Sequence, residues 1–126
     1  MNLSEGRRPM ATETELRQRH CTPCEGGTPP LSEADEDRLR VDTPQWEVAR
    51  DGQHRLVRSM KFDSFGTMTT LLQCVADIVD QENHHPDIHI SGTNARFELS
   101  THKIGGLSEN DFIMASKIDS CINESD

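Results

Sequence analysis

The stretch DIHISGTNARFELS, residues 87–100, alternates apolar and polar side chains on both sides of a Gly-Thr-Asn turn. The apolar positions recur with a period of two and are Ile88, Ile90, Ala95, Phe97 and Leu99. This period is typical of strands with one buried face, and glycine and asparagine favour a turn between such strands. The stretch therefore predicts a hairpin that supplies the third and fourth strands of a sheet.

Helical patterns flank this hairpin. Before it, a helix capped by Asp63 or Ser64 is predicted, with apolar residues at helical spacing: Phe65, Met68, Leu71, Leu72, Val75, Ile78 and Val79. That helix must end before Pro86, because proline disfavours helical geometry at the preceding residue. After the hairpin, Ser108 predicts the cap of a final helix, whose apolar face comprises Phe112, Ala115, Ile118 and Ile122.

The first part of the domain predicts a short helix and another hairpin. Ser32 and Asp35 form a capping-box-like pair that starts a helix through about residue 40. Asp51-Gly52 is a hairpin signal between a strand that begins at Trp46 and one that covers about residues 55–62. The order αββαββα favours an α+β fold, a four-stranded antiparallel sheet with helices packed on one face.

Composition limits the function classes. The 126 residues carry a net charge of −9, which argues against electrostatic binding of nucleic acid. No apolar run approaches the roughly 20 residues that span a bilayer. Residues 1–19 lack the apolar core of a secretory signal, so we expect a cytoplasmic protein that does not bind membranes. In such a chain the four cysteines are expected to be reduced thiols.

The chain divides near residue 30. Residues 1–30 contain seven apolar side chains and end in Gly-Gly-Thr-Pro-Pro. Too little apolar surface is available there to offset the entropy of ordering, so residues 1–30 are predicted to be a flexible N-terminal tail. Residues 31–126 are predicted to be the folded domain.

Three histidines stand at the two ends of the central hairpin. His84 and His85 precede the third strand, and His102 follows the fourth, so pairing of the two strands places them along one rim of the sheet. Histidine exchanges protons near neutral pH, which favours proton-transfer chemistry on a small molecule. For His84 or His85 alone, a helix C-terminal cation is an equally good interpretation.

A metal site is the sharpest competing hypothesis. The histidine spacing matches no H-E-x-x-H motif, and paired C-x-x-C units are absent from the sequence. His89 lies on a predicted strand and is expected to face solvent. The run His20-Cys21-Thr22-Pro23-Cys24 is similar to half a zinc knuckle, but Cys74 and Cys121 each stand alone in a predicted helix. No metal is therefore expected.

Two blocks of sequence carry a resemblance to a known family. They are His84-His85-Pro86-Asp87 and THKIGGLSEND at residues 101–111, supported by Trp46 and by CTPCEGGTPPL at residues 21–31. Over roughly residues 21–122 the chain resembles the pterin-4a-carbinolamine dehydratases. The resemblance implies removal of water from 4a-hydroxytetrahydrobiopterin to give quinonoid dihydrobiopterin, which recycles tetrahydrobiopterin.

The resemblance also implies roles for individual residues. His84 and His102 would be general acids, and His85, the third histidine of the catalytic set, would mainly bind the pterin. The other residues that it places at the substrate are Asp80, Pro86, Asp87, Thr101, Lys103, Ile104 and Asp111. Asp80 would orient a histidine or raise its pKa. For Asp111, capping of the last helix and support of His102 are equally weighted alternatives.

Partners follow from the same resemblance. It implies no metal or organic cofactor, a homodimer or homotetramer joined across its sheets, and an aromatic amino acid hydroxylase as the source of the substrate. The departures are Ile88, where animal members often carry an aromatic residue, and the absence of tyrosine. The alternative from another functional class is a non-catalytic protein-interaction module, a dimerisation cofactor, on the same fold.

Overall fold

The computed structural model describes residues 13–23 and 26–125. Its elements are α1 (Glu13–Gln18), α2 (Glu33–Arg40), β1 (Glu47–Ala49), β2 (Arg55–Lys61), α3 (Phe65–Glu82), β3 (Asp87–Ser91), β4 (Asn94–Leu99) and α4 (Glu109–Ser125). A single 3-10 turn, His102–Ile104, connects β4 to α4. From residue 31 onward the predicted order of helices and strands is confirmed, whereas α1 and the 3-10 turn were not predicted.

The four strands form one antiparallel sheet in the order β1-β2-β4-β3. Both predicted hairpins are present, and β2 pairs with β4 to join them. Ile88 lies opposite Phe97 and Ile90 opposite Ala95, so the alternation along residues 87–100 places its apolar side chains on one face. The predicted α+β fold is confirmed.

The core lies between this apolar face and the long helices α3 and α4. Its largest members are fully buried and comprise Trp46, Leu56, Met68, Leu71, Phe97, Leu99, Leu107, Phe112, Ile113, Met114 and Ile118. The opposite face of the sheet is polar, and Ser59, Arg96 and His89 lie side by side on it. His89 is more than half exposed there, as the sequence predicted.

The ends of α3 set the position of the residues that follow it. Ser64 caps the first turn, because its hydroxyl accepts a hydrogen bond from the backbone N–H of Thr67 at 3.0 Å. Asn83 ends the helix in the left-handed conformation, with φ of 55°. The chain therefore turns sharply just before His84 and enters β3 from the rim of the sheet.

The prediction of a flexible tail differs from the structure over residues 13–23. Helix α1 packs against α4 there, and Leu16 is completely buried in the core. Lys117 of α4 also donates a hydrogen bond to the backbone carbonyl of Arg17 at 2.7 Å. Residues 1–12 and 24–25 of the predicted tail lie outside the described residues, and residues 26–30 are exposed and belong to no helix or strand.

The expectation of reduced thiols is wrong for one pair. Cys74 on α3 and Cys121 on α4 form a disulfide, although 47 positions separate them in the sequence. Their Cα atoms are 5.9 Å apart, within the usual range for such a bond. The two longest helices are therefore covalently joined.

None of the helices in the described part of the chain is both long enough and apolar enough to cross a membrane.

Candidate active site

The three histidines line one pocket of about 460 Å³. It lies where the end of α3, the segment after β4, the first turn of α4 and residues 21–23 meet. Its lining residues are Cys21, Thr22, Pro23, Glu82, Asn83, His84, His85, Ser100, Thr101, His102, Lys103 and Asn110. The structure thus brings His84, His85 and His102 together from the two ends of the hairpin.

His84 is held by a buried carboxylate. Its Nε2 donates a hydrogen bond to Oδ1 of Asp111 at 2.6 Å. The His84 side chain is 14% exposed and the Asp111 side chain is fully buried. Because the ring donates from Nε2, the neutral tautomer carries its proton there and leaves Nδ1 as a proton acceptor.

Asp111 connects this histidine to the start of α4. Its second oxygen, Oδ2, accepts hydrogen bonds from the hydroxyl of Thr101 at 2.8 Å and from the backbone N–H of Ser108 at 2.9 Å. The capping role is therefore confirmed, since Asp111 satisfies an N–H at the helix start. The histidine that Asp111 supports is His84, so the alternative that named His102 is wrong.

His102 occupies the first position of the 3-10 turn and is exposed toward the pocket. The side-chain amide nitrogen of Gln53 lies 2.5 Å from Ser100 Oγ and 3.3 Å from His102 Nδ1. Ser100 donates its own hydroxyl proton to the carbonyl of His54, so it accepts from Gln53. The second amide proton of Gln53 is then available to His102 Nδ1, which assigns the ring proton to Nε2.

Two glycines shape the turn that carries His102. Gly105 has φ of 75°, a conformation that other residues adopt only with strain. At Gly106 a Cβ atom would lie 2.8 Å from Pro30, so no side chain fits without displacing the segment before Leu31. Thr101 closes the turn with a 2.8 Å hydrogen bond from its N–H to the Gly106 carbonyl.

His85 points between two cavities. It lines the histidine pocket and also an apolar groove of about 410 Å³ between α3 and β3, whose other lining residues are Leu72, Val75, Ala76, Val79, Asp80, Pro86, Ile88 and Ile90. Asp80 and Pro86 therefore border the groove rather than the pocket. The carboxylate that orients His84 is Asp111 instead of Asp80.

Of the remaining residues predicted to contact the substrate, some line the histidine pocket and others lie outside it. Thr101 and Lys103 line the pocket. Asp87 borders a smaller cavity on the outer side of His102, and Ile104 is not among the pocket residues. The backbone N–H groups of Thr101 and Ile104 are already paired within the turn, which leaves them unavailable to a ligand.

Sequence reasoning missed the wall formed by Cys21, Thr22 and Pro23. Cys21 N–H donates to Glu82 Oε1 at 2.7 Å, and Thr22 exchanges two hydrogen bonds with the side chain of Asn110, at 3.0 and 2.6 Å. The sequence signal for this wall was Glu82, an acidic residue that lies on the face of α3 whose other residues are in the core. An acidic residue at such a position needs hydrogen-bond donors from elsewhere in the chain.

Glu82 is a buried carboxylate with several partners. Its burial, the largest single influence, raises its pKa, but the hydrogen bonds from the Cys21 N–H and His20 and the nearby charge of Lys117 outweigh burial and leave that pKa below the ordinary 4.5. His20 Nδ1 donates to it at 2.7 Å, and Lys117 Nζ lies 3.7 Å away. Glu82 is therefore ionised at neutral pH.

A metal centre finds no support in the described residues. No three His, Cys, Asp or Glu side chains within residues 13–23 and 26–125 are grouped so that they could hold an ion. Cys24, the second cysteine of the half zinc knuckle, lies outside the described residues.

Comparison with known proteins gives one consistent family. Residues 29–121 match the family model described as pterin 4 alpha carbinolamine dehydratase. A protein of Methylococcus capsulatus that carries the provisional name pterin-4-alpha-carbinolamine dehydratase is 43% identical over 104 residues, which cover 82% of this chain and 90% of that one. A protein of Rubrobacter xylanophilus with the same provisional name is 40% identical over 106 residues, 84% of this chain and 97% of that one.

A solved structure agrees on the fold. The crystal structure of a transcriptional coactivator/pterin dehydratase from Brucella melitensis superposes with a TM-score of 0.69. It covers 73% of this chain and 97% of that one at 24% identity. The likeness supports the sheet-and-helix architecture described above.

Proposed function

The chain belongs to the pterin 4 alpha carbinolamine dehydratase family, and on that premise we propose that it removes water from 4a-hydroxytetrahydrobiopterin. The product is quinonoid dihydrobiopterin. The observation that carries the proposal is the convergence of His84, His85 and His102 on one pocket, with Asp111 held against His84.

The reaction needs an acid and a base. The C4a–O bond breaks, and the departing hydroxide takes a proton from the acid and leaves as water. The lone pair of N5 forms the new bond to C4a, and the N5 proton passes to the base. A general acid or base of this kind increases the reaction rate by roughly 10²–10⁴-fold, and the increase is largest when its pKa lies near the ambient pH.

The hydrogen bonds of His84 and His102 support a division of labour. His84, which donates from Nε2 to Asp111, offers Nδ1 as the base that accepts the N5 proton. His102, whose Nδ1 faces the amide of Gln53, offers its Nε2 proton as the acid for the hydroxyl group. This division replaces the initial assignment of both residues as acids. His85 would bind the pterin without transferring the critical proton.

Substrate contacts beyond the histidines are assigned to Thr101 and Lys103, which line the same pocket.

No metal or organic cofactor takes part in the proposed reaction. The substrate would come from an aromatic amino acid hydroxylase, and the product would return to the tetrahydrobiopterin pool. The location is proposed to be the cytoplasm. Because disulfides are rare in that compartment, the Cys74–Cys121 bond is the observation that opposes this location, and counting of free thiols on rapidly alkylated protein tests it.

A homodimer or homotetramer is proposed from the surface of the sheet. Strand β3 has one unpaired edge, and beside it Ile88 and Ile90 are 38% and 48% exposed in the apolar groove. Such edges and apolar surfaces favour association. A second copy that pairs along β3 would cover both.

The alternative is an interaction module without chemistry. The assay that separates the two functions is stopped-flow measurement of the dehydration of freshly generated 4a-hydroxytetrahydropterin. Acceleration that disappears when His84 and His102 are both replaced by alanine supports the dehydratase. A wild-type rate that does not exceed the uncatalysed rate supports the interaction module instead.

A further inference from the structure

In its described lining, the pocket offers no aromatic ring other than the imidazoles of its histidines to cover a flat ligand. In the part of the chain that the structure describes, its lining contains neither Phe nor Trp, and the sequence has no Tyr. Sites for small planar ligands are usually lined by apolar or aromatic surface with a few polar groups. Cys21 and Pro23 are the lining residues that offer a thiol and a pyrrolidine ring at the side opposite the turn of His102.

We define residues 20–23 as the N-terminal wall. They precede the residues matched by the family model, yet Cys21, Thr22 and Pro23 border the same pocket as the three histidines. We propose that the N-terminal wall contacts the pterin ring directly, and that Glu82 and Asn110 are the positioning residues that fix this wall in place. This inference rests on the proposed function, because it concerns how the same pocket holds a pterin.

The wall is fixed by directional bonds to buried groups. Glu82, whose side chain is 2% exposed, accepts from the Cys21 N–H and from His20 Nδ1, both at 2.7 Å. Asn110, also buried, accepts from the N–H of Thr22 and donates to its carbonyl. Four hydrogen bonds over three residues fix the backbone far more narrowly than apolar packing would.

These bonds also determine what the wall can offer a ligand. The N–H of Cys21 and both backbone polar groups of Thr22 are used by Glu82 and Asn110. The Cys21 thiol also donates toward the backbone carbonyl of Asn110, with its Sγ 3.7 Å from that oxygen. The wall therefore presents mainly side-chain surface to the pocket. Apolar contact of this kind binds substrate and transition state equally, so its loss should weaken binding without slowing the chemical step.

The cost of burying Glu82 supports a positioning role. A buried carboxylate is expensive unless hydrogen bonds and opposite charge compensate for its lost hydration. Anchoring of α1 is already provided by the buried Leu16 and by the bond from Lys117 to the Arg17 carbonyl. The additional bonds from Glu82 act on Cys21, which lines the pocket, and on His20, the residue that precedes it.

The first test compares Glu82→Gln and Asn110→Asp with Asp119→Asn. Asp119, on α4, also has a mostly buried carboxylate, but that carboxylate accepts hydrogen bonds from Trp46 and Arg58, away from the pocket. Both wall variants are expected to raise KM about tenfold, equivalent to about 1.4 kcal/mol, with kcat within about twofold of wild type. Asp119→Asn is expected to leave KM unchanged. Unchanged KM in both wall variants, or an equal rise in the Asp119 variant, would overturn the positioning role.

A second test needs no destabilised variant. In the Cys24→Ser background, calorimetry first establishes whether the protein binds 7,8-dihydrobiopterin, a stable pterin. The rate at which iodoacetamide alkylates Cys21 is then measured with and without a saturating concentration of that pterin. We expect at least tenfold protection. Binding without protection overturns contact between the wall and the pterin, even if the protein is a dehydratase. Protection in a protein that fails to accelerate dehydration refutes the proposed function and leaves the wall in place. Absence of pterin binding refutes both.

Discussion

Replacing Asp111 by asparagine should separate orientation of His84 from folding. The carboxylate accepts from three donors, which are His84 Nε2, the Thr101 hydroxyl and the Ser108 N–H. An asparagine of nearly the same shape offers only one oxygen and an amide group. Among the described residues, the Ser108 N–H is given no acceptor other than residue 111. The asparagine oxygen should therefore turn toward Ser108, and its NH₂ group toward His84.

This arrangement changes the tautomer of His84. Facing an amide N–H, Nε2 must become the acceptor, and the ring proton moves to Nδ1. The nitrogen assigned as the base is then protonated in the neutral ring. We therefore expect kcat to fall by about 10²–10⁴-fold, the worth of one general acid–base group, with little change in KM.

The effect on folding should be much smaller. Loss of the charged acceptor at a buried site costs about 1–3 kcal/mol of unfolding free energy. At about 4 °C per kcal/mol for a domain of this size, the melting temperature should fall by about 4–12 °C. The protein would remain folded at 25 °C, where the assay is carried out.

The assay is stopped-flow dehydration of the carbinolamine by the wild type, Asp111→Asn, His84→Ala and the double variant. Because the two residues act as a unit, the double variant should be no slower than His84→Ala alone. Asp119→Asn is the matched control, since it is expected to lose stability without losing kcat. A wild-type kcat in Asp111→Asn, or losses that multiply in the double variant, would refute the reasoning.

Three further predictions follow from the same contacts. His102→Ala should lower kcat and His85→Ala should chiefly raise KM, and the reverse pattern in steady-state kinetics would contradict their assigned roles. Glu82, whose pKa is lowered on folding, should contribute stability above about pH 4.5 that is lost as pH falls through its folded pKa, so urea unfolding of wild type and Glu82→Gln should converge at low pH. Curves that stay parallel would contradict this linkage. Light scattering at micromolar concentration should give at least a dimer, and a monomer of 14.2 kDa would refute association through β3.

The central hairpin was predictable because one face of the sheet is buried. The period of two in residues 87–100 fixes the strand assignment and the face on which each side chain lies. Ala95, Phe97 and Leu99 of that face enter the core, whereas Ile88 and Ile90 stay partly exposed at the edge of the sheet. Helix α3 was predictable for a similar reason, since its cap at Ser64 and its apolar face are both local signals.

Helix α1 was not predictable from local pattern. It has six residues, too few to show a helical period, and Leu16 is the core residue among residues 16–18, the part of the helix whose burial the structure describes. What orders this segment is contact with α4 and with Glu82, residues that lie far away in the sequence. The same reasoning covers the Cys74–Cys121 disulfide, because neither cysteine has a partner at a recognisable spacing.

The residue types of the site were predictable, but their pairings were not. Histidines at both ends of a hairpin must lie near one another once the strands pair. Which carboxylate supports which histidine depends on how the first turn of α4 packs beneath α3, and that packing chose Asp111 for His84 over Asp80.

The most direct measurement is the rate at which the purified full-length chain dehydrates 4a-hydroxytetrahydrobiopterin, formed in the same cuvette by a hydroxylase and followed by absorbance. We predict a catalysed rate well above that in buffer, unaffected by a strong chelator and nearly abolished when His84 and His102 are both replaced by alanine. A rate that the chain does not raise above buffer, or that the double variant retains, would contradict histidine-catalysed dehydration by this protein.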